Sequence, residues 1–443
     1  MPRTHERNGA GTMRIRAAIA LAGLALLAAG CQSLDVKNPN SPTQQSVLTD
    51  VNGVLALGVG IQQQYAQGLI NYLVPNSLVT DEWGTKSRSL ISYQSLLTGG
   101  PNFDPSFDVV AAPYTTTYRI ALTANDILTA APNVGLAAGT QAGLVALARL
   151  MRAMALGQAI QQYKQVPFNY NLAGGTPQPR AAVLDTVVSL LEQARAGVAS
   201  LSDTDLSGLK SRVLGPGFDL RNTIDAMLAR YYLIRGNYQQ AVDAAARVNQ
   251  GVLSVLTYPS PTTNPIWSLG INAQYVCGLH SFTTQAQAGD PRPAYWLQTT
   301  VHPAANPADS TLDELKKFST QNEAIAVYLP AEMLLIQAEG YARLNNTTQA
   351  LVFLNLERTA KSWPVDQPAA GLAALTTADI PTATDLLKAI AYERRYELYQ
   401  QGTRWEDMRR LPQPWNNALS MDFLPLPQSE CLNNPNARPA CGP

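Results

Sequence analysis

Ionisable side chains are scarce in this chain. Lys, Arg, Asp and Glu make up 14% of its 443 residues, and 32 basic residues balance 32 acidic ones. A sparse, balanced charge provides no global field to draw in nucleic acid or an anionic lipid surface. Histidine is rarer still, at three. A zinc site needs about four ligands; Cys277 and His280 are three apart, but His5 and His302 do not bring the set to metal-ligand spacing. A Cys277–His280 nucleophilic pair is a minor alternative. The chain also lacks a glycine-rich phosphate cradle and a basic patch interleaved with aromatics. No cofactor, no metal and no nucleic-acid partner are therefore expected. Beyond the N-terminal leader no apolar run reads as the ~20 residues a membrane span needs.

The leader itself carries the first positive signal. Met13-Arg14-Ile15-Arg16 is a basic stretch, residues 17–27 are apolar, and Ala28-Ala29-Gly30 precede Cys31. This is the build of an export signal. Residues before Met13 read as an extended basic region or as a start codon set too far upstream. Leu27-Ala28-Ala29-Gly30-Cys31 resembles the lipobox of bacterial lipoproteins, which implies cleavage at residue 30 and acylation of Cys31. The alternative is an ordinary secretory leader that happens to contain a cysteine. Three cysteines remain. Cys431 and Cys441 are close in sequence and an exported compartment permits their bridging, although Cys277 could compete for either partner.

Residues 31–45 are polar and Pro/Asn-containing and read as a tether. From residue 46 helical periodicity dominates. Stretches 114–128, 144–163 and 180–201 each place apolar residues on one face, and Val166-Pro167 stops the second. In 223–248, Ile224, Leu228, Tyr231 and Tyr232 form one stripe and Tyr238, Ala241, Val242, Ala245 and Val248 a second, around a Gly236-Asn237 turn. Small residues at packing positions make this pair similar to a tetratricopeptide unit. Residues 328–344 and 348–358 form a similar pair. The expected fold class is mainly α: tetratricopeptide-like helix pairs in a single body spanning 46–443. Residues 253–319 lack periodicity and are rich in Pro, Thr, Gln, Gly and aromatics, so they read as a loop-rich, ligand-side insertion. Residues 412–443 read as a Pro-rich coil.

The ordered set of local motifs resembles the SusD/RagB family of outer-membrane nutrient-binding lipoproteins. It comprises the lipobox with Leu34-Asp35-Val36 and Asn38-Pro39-Asn40; Tyr118-Arg119-Ile120 with Ala124-Asn125; and the Ala/Arg-rich stretch 146–167. Then come Ala331-Glu332 through Ala338-Glu339 with Asn355 and Arg358, and Glu393-Arg394-Arg395-Tyr396-Glu397-Leu398 through Gly402-Thr403-Arg404-Trp405-Glu406-Asp407-Met408-Arg409-Arg410. Leu424-Pro425-Leu426-Pro427 and Asn434-Pro435-Asn436 close it. Asn345-Asn346 stands where the family often has Gly. The resemblance implies a lipid-anchored, outward-facing outer-membrane protein. It also implies capture of an oligomeric nutrient, most often a glycan, delivery to a SusC-like TonB-dependent transporter, and no catalysis.

Candidate residues follow from chemistry. The charged clusters around Glu393–Arg410 and Glu332/Glu339 read as structural networks in which arginine forks hold carboxylates; for Glu393–Arg410 the alternative is an anionic-ligand site. Asp81-Glu82-Trp83 opens a polar loop reaching Arg88 and Tyr93. Sugar rings pack their apolar faces on aromatic rings while polar groups fix orientation. Trp83, Trp267, Tyr275 and Trp296 are thus candidate stacking platforms, with Asp81, Arg88 and Tyr93 as polar partners. Two alternatives remain: a helical-repeat adaptor lipoprotein without a small ligand, favoured by a flat polar surface beside 253–319, and a glycoside hydrolase, which needs two carboxylates facing each other about 5–9 Å apart.

Overall fold

A computed structural model describes residues 44–100, 103–171, 174–302, 312–415 and 418–441. The leader and Cys31 lie outside the described residues. The chain divides after Val47; in the first unit the described residues begin a short helix, α1 (Gln44–Leu48). All that follows concerns the second unit.

Long helices dominate it: α2 (Val51–Val79), α4 (Asp108–Ala130), α5 (Ala138–Gln162), α6 (Arg180–Val198), α8 (Leu220–Arg235), α9 (Tyr238–Ala246), α12 (Pro330–Arg343), α13 (Thr347–Arg358) and α14 (Ala383–Glu397). Shorter helices are α3 (Ile91–Thr98), α7 (Ser207–Arg212), α10 (His280–Thr284), α11 (Arg292–Trp296), α15 (Arg404–Arg410) and α16 (Gln428–Asn433). The helices stack in chain order. α4 packs on α5, α5 on α6, α6 on α8, α8 on α9, α9 on α12, and α12 on both α13 and α14, while α2 lies along α4 and α5. This is the paired, quasi-linear stacking of helical repeats.

The local chemistry explains the pairs. Asp219 caps α8 through Asn222 N–H at 2.8 Å, and Gly236 ends it at φ 90°, a left-handed conformation that glycine adopts without a steric penalty. Gly157 on α5 lies against the ring of Tyr231 on α8; a β-carbon there would meet Tyr231 Cζ at 2.1 Å, so the close approach of these helices requires glycine. By length and composition α5 could cross a membrane, contrary to the sequence expectation of no such stretch. It is instead a core helix: Leu144, Leu147, Met151, Leu156 and Ile160 are fully buried by neighbouring helices. A second small core, with Leu335, Ala338, Ala350, Leu354 and Ile390, joins α12, α13 and α14.

The insertion is more regular than its sequence suggested. β1 (Trp83–Thr85), β5 (Val276–Leu279), β7 (Leu312–Leu315) and β6 (Leu297–His302) form one antiparallel sheet in the order β1-β5-β7-β6. Trp83 pairs with Gly278, Gly278 with Asp313, and Leu297 with Leu315. The strands are too short, and too interrupted by Gly, Pro and polar residues, to show a period of two. β2 (Gln165–Val166) pairs with β3 (Gln178–Pro179), and β4 (Val255–Leu256) with β8 (Ile325–Ala326). The Pro-rich tail, read as coil, contains α16 and a 3-10 turn at Arg438–Ala440. Cys431 and Cys441 are joined there, with Cα atoms 5.9 Å apart, and Cys277 is a buried free thiol.

Buried ion networks tie these parts together. Arg230 on α8 forks onto Glu332 of α12 at 2.8 and 2.6 Å. Arg410 of α15 forks onto Glu339 at 2.6 and 2.8 Å, and Arg394 of α14 meets Asp407 at 2.9 Å. Arg292 of α11, wholly buried, donates to Asp290 (2.8 Å), to Glu357 of α13 (2.9 Å) and to Glu393 of α14 (2.6 Å), with Glu397 at 3.8 Å. Arg358 adds a second guanidinium on Glu393. Burial raises the pKa values of Glu357 and Glu397 well above the usual carboxyl range. For Glu357 the neighbouring Glu393 charge adds to burial; for Glu397 the Arg292 charge opposes it. Burial also lifts Glu82 to about 7. These carboxyls hold their protons more tightly folded than unfolded. The stability they contribute is complete below about pH 4.5, the ordinary value, and is lost as pH rises toward and beyond 7. Urea denaturation should accordingly give a smaller unfolding free energy at pH 8 than at pH 5, and Glu397→Gln should flatten that slope. A variant with an unchanged slope would remove Glu397 from this account.

Candidate functional site

The insertion and α2 together form a groove of about 540 Å³ on the protein surface. Gln67 and Ile70 of α2 form one side and Tyr93 of α3 an end. Pro261, Thr262, Thr263, Pro265, Ser268, Leu269, Ala273 and Tyr275 complete it. The wall is therefore aromatic and aliphatic, with hydroxyl and amide groups set among the rings.

Asn264 explains how this irregular segment holds its shape. Its N–H donates to Gln321 O at 2.7 Å and its Nδ2 to Glu323 O at 2.8 Å. Its Oδ1 accepts from the N–H groups of Ile266 (2.8 Å) and Trp267 (3.1 Å). A fully buried asparagine thus anchors the start of a π-helix, Trp267–Asn272. Such turns are rare and frequent at functional sites. Gln274, at φ 52°, then redirects the chain. Tyr275 N–H returns to Leu269 O at 3.0 Å, and Tyr275 O accepts from Lys86 N–H at 3.3 Å. Arg88 Nη2 donates to Gln274 Oε1 at 2.5 Å, so the predicted Arg88 buttresses the turn that presents Tyr275. Burial, with the Asp108 carboxylate and Tyr275 nearby, pushes the Tyr93 phenol up to about 12, and it is a neutral hydroxyl at physiological pH.

The structure gathers Tyr93 and Tyr275 at the groove, sets Arg88 outside the lining on Gln274, and leaves Trp267 half-buried at the head of the π-helix. It corrects two other expectations. Trp83, at 0% exposure in β1, and Trp296, at 1%, belong to the main core and present no face to a ligand. Trp296 donates Nε1–H to Tyr396 O at 2.9 Å and meets Tyr295 edge-on. Pairing of β1 with β5 turns Trp83 inward, a consequence of a strand that the sequence did not reveal. Asp81 sits half-buried at φ 56° in the turn after α2, and the groove lining does not include it. Glu82 accepts from Ser77 Oγ at 2.8 Å and Gln400 N–H at 3.2 Å, so it supports the core. Gln67, Ile70, Thr262, Thr263 and Ser268 went unrecognised. Pro261 and Pro265 flank the threonines and were the available signal; nothing local marks Ile70 among the other apolar residues of α2.

The remaining candidates have structural surroundings. Burial raises the Cys277 thiol to about 11, far from a nucleophilic thiolate. His280 Nδ1 lies 3.0 Å from Asp313, which also accepts from Thr283 at 2.6 Å. Among the described residues no three His, Cys, Asp or Glu side chains gather as a metal site.

A stack of tetratricopeptide-like pairs bearing a side groove on an inserted sheet and loops defines a helical-repeat scaffold. Residues 280–436 match the family model described as the SusD family. The fold likeness is broader. A SusD superfamily protein from Bacteroides fragilis NCTC 9343 superposes with a TM-score of 0.68 at 13% identity, over 88% of this chain and 98% of that one. A SusD-like carbohydrate binding protein from Bacteroides vulgatus ATCC 8482 gives 0.65 at 14% identity, over 87% and 97%. A SusD superfamily protein from Bacteroides thetaiotaomicron VPI-5482 gives 0.61 at 17%, over 89% and 98%. No curated protein matches the chain in sequence.

The two kinds of aromatic should separate by experiment. Trp83→Ala empties a large core site and should cost ~3–5 kcal/mol in urea denaturation. Tyr275→Ala, at a half-buried rim, should cost clearly less. Equal losses would place Tyr275 in the core.

Proposed function

We propose that this chain is a cell-surface lipoprotein that captures an oligosaccharide in the groove of Tyr93 and Tyr275. It then delivers the ligand to a SusC-like TonB-dependent barrel in the outer membrane. The observation that carries the reading is the lining itself. Two tyrosines, Ile70 and Leu269 offer the apolar surfaces that sugar faces need, and Thr262, Thr263, Ser268 and Gln67 offer donors and acceptors for hydroxyls. A concave aromatic surface beside the insertion supports capture over an adaptor role. The likeness to a SusD-like carbohydrate binding protein and to a protein described as a putative sugar binding protein, both at 14% identity, supports the same ligand class. In this reading the protein does no chemistry, and Cys31 carries the lipid that holds it to the membrane with its body facing outward.

A glycan and peptide array on the purified protein should return glycan ligands. Tyr93→Ala combined with Tyr275→Ala should abolish their capture, with helical content by circular dichroism unchanged. Wild-type binding by this double variant would remove the groove assignment, and shortening of an oligosaccharide by the purified protein would overturn the non-enzymatic reading. Separately, Cys31→Ala should move the protein out of the membrane fraction; unchanged fractionation would show that Cys31 is not the anchor.

A further inference from the structure

Six arginines are deeply buried among the described residues: Arg230, Arg292, Arg358, Arg394, Arg395 and Arg404. Four of them are ion-paired, with Glu332, with Asp290, Glu357 and Glu393, with Glu393, and with Asp407 respectively. Arg395 and Arg404, at 5% and 3% exposure, make no ion pair with any described residue. A buried charge is ordinarily paired and hydrogen-bonded because desolvation is costly. These two guanidiniums are also neighbours. One indole, Trp415, lies 4.1 Å from Arg395 Cζ and 5.8 Å from Arg404 Cζ. Each repels the other's charge, and burial with the Arg395 charge draws the Arg404 pKa down to about 10.

Their hydrogen bonding differs. Arg395 Nη1 donates to Gln285 Oε1 at 2.7 Å. Arg404 Nη1 and Nη2 are both buried without a partner, and so are both side-chain atoms of Gln400 four residues earlier. The carboxylates that bear on Arg404 are engaged elsewhere. Asp407 holds Arg394 and Arg410, and Glu82 accepts from Ser77 and from Gln400 N–H. Asp81 and Glu82 bear on Arg395 through space. Two unpartnered donors on one buried cation, with a second cation over the same indole, call for a small acceptor of negative charge.

We propose that Arg404, with Arg395 beside it and the Gln400 amide as a neutral donor, binds a small monovalent inorganic anion of the halide class. The ion is structural. It satisfies both Arg404 Nη groups and offsets the repulsion between α14, which carries Arg395, and α15, which begins at Arg404. The surroundings select halide over larger anions, since aromatic rings of Trp415, Phe282 and Tyr396 close on the Arg395 side.

The full chain should be unfolded thermally at constant ionic strength while chloride replaces gluconate. The melting temperature is expected to rise by several degrees and to saturate with chloride, as binding to the folded state alone requires. Arg404→Met should lose the response. Because that variant risks misfolding, bromide-soaked wild-type crystals provide the second readout: an anomalous peak within hydrogen-bond distance of Arg404 Nη1 or Nη2. A melting temperature indifferent to chloride, or an ordered water at Arg404 that bromide does not displace, would overturn the proposal.

Discussion

The guanidinium of Arg292 is the interaction on which the C-terminal half depends. It is wholly buried on a five-residue helix, yet it reaches carboxyls on a loop and on two long helices. Removing one partner from such a cluster costs ~3–5 kcal/mol, because the remaining charges stay buried and unpaired. Four carboxyls, of Asp290, Glu357, Glu393 and Glu397, face the guanidiniums of Arg292 and Arg358. Full ionisation would leave the interior negatively charged, and the raised pKa values of Glu357 and Glu397 are the physical response: a proton stays where a counter-charge is missing. The inserted sheet is thus attached to the helical stack by electrostatics, in addition to the apolar packing of Trp296 and Phe282.

That arrangement explains why the helical body was legible in the sequence and the insertion was not. The pairs around Gly236 and around Asn345-Asn346 announce themselves locally, because a helix exposes its period within a dozen residues and its stop within two. The roles of Glu332 and Glu339 were equally readable. Two carboxylates on an Ala/Leu-rich helix face can persist only if something cationic meets them, and Arg230 and Arg410 do. The sheet is built otherwise. β1 comes from a segment nearly two hundred residues before its partner β5, and neither is longer than four residues. Pairing at such separation leaves no local trace.

The candidate site shows the same asymmetry in its aromatics. Tryptophan in an irregular segment suggests a stacking platform, and for Trp267 the segment is indeed surface-bound. Trp83 opens β1 and Trp296 directly precedes β6, and a short sheet is stabilised by burying large side chains against the helices behind it. The same strand pairing that buries them carries Tyr275 to the groove at the start of β5 and sets Lys86 and Arg88 beside Gln274. Tyrosine suits that place better than tryptophan would, since its hydroxyl stays wet while its ring packs.

Groove and stack thus divide the work by physical kind. Helices α4 to α9 and α12 to α14 repeat one packing solution. The groove lies where α2 meets a segment that repeats nothing, and its shape rests on a few polar anchors such as Asn264. Substitutions at Thr262, Thr263 or Ser268 alter the chemistry offered to a ligand without touching the helix–helix contacts, because none of these residues belongs to the stack. A scaffold of this kind can keep its fold while its ligand preference changes. The fold likewise persists at 13–17% identity between this chain and its structural neighbours. The motif-bearing segment 393–410 is, by contrast, locked into buried charge, where an altered residue leaves an unpaired ion behind. Its residues serve the fold, and none of them lines the groove.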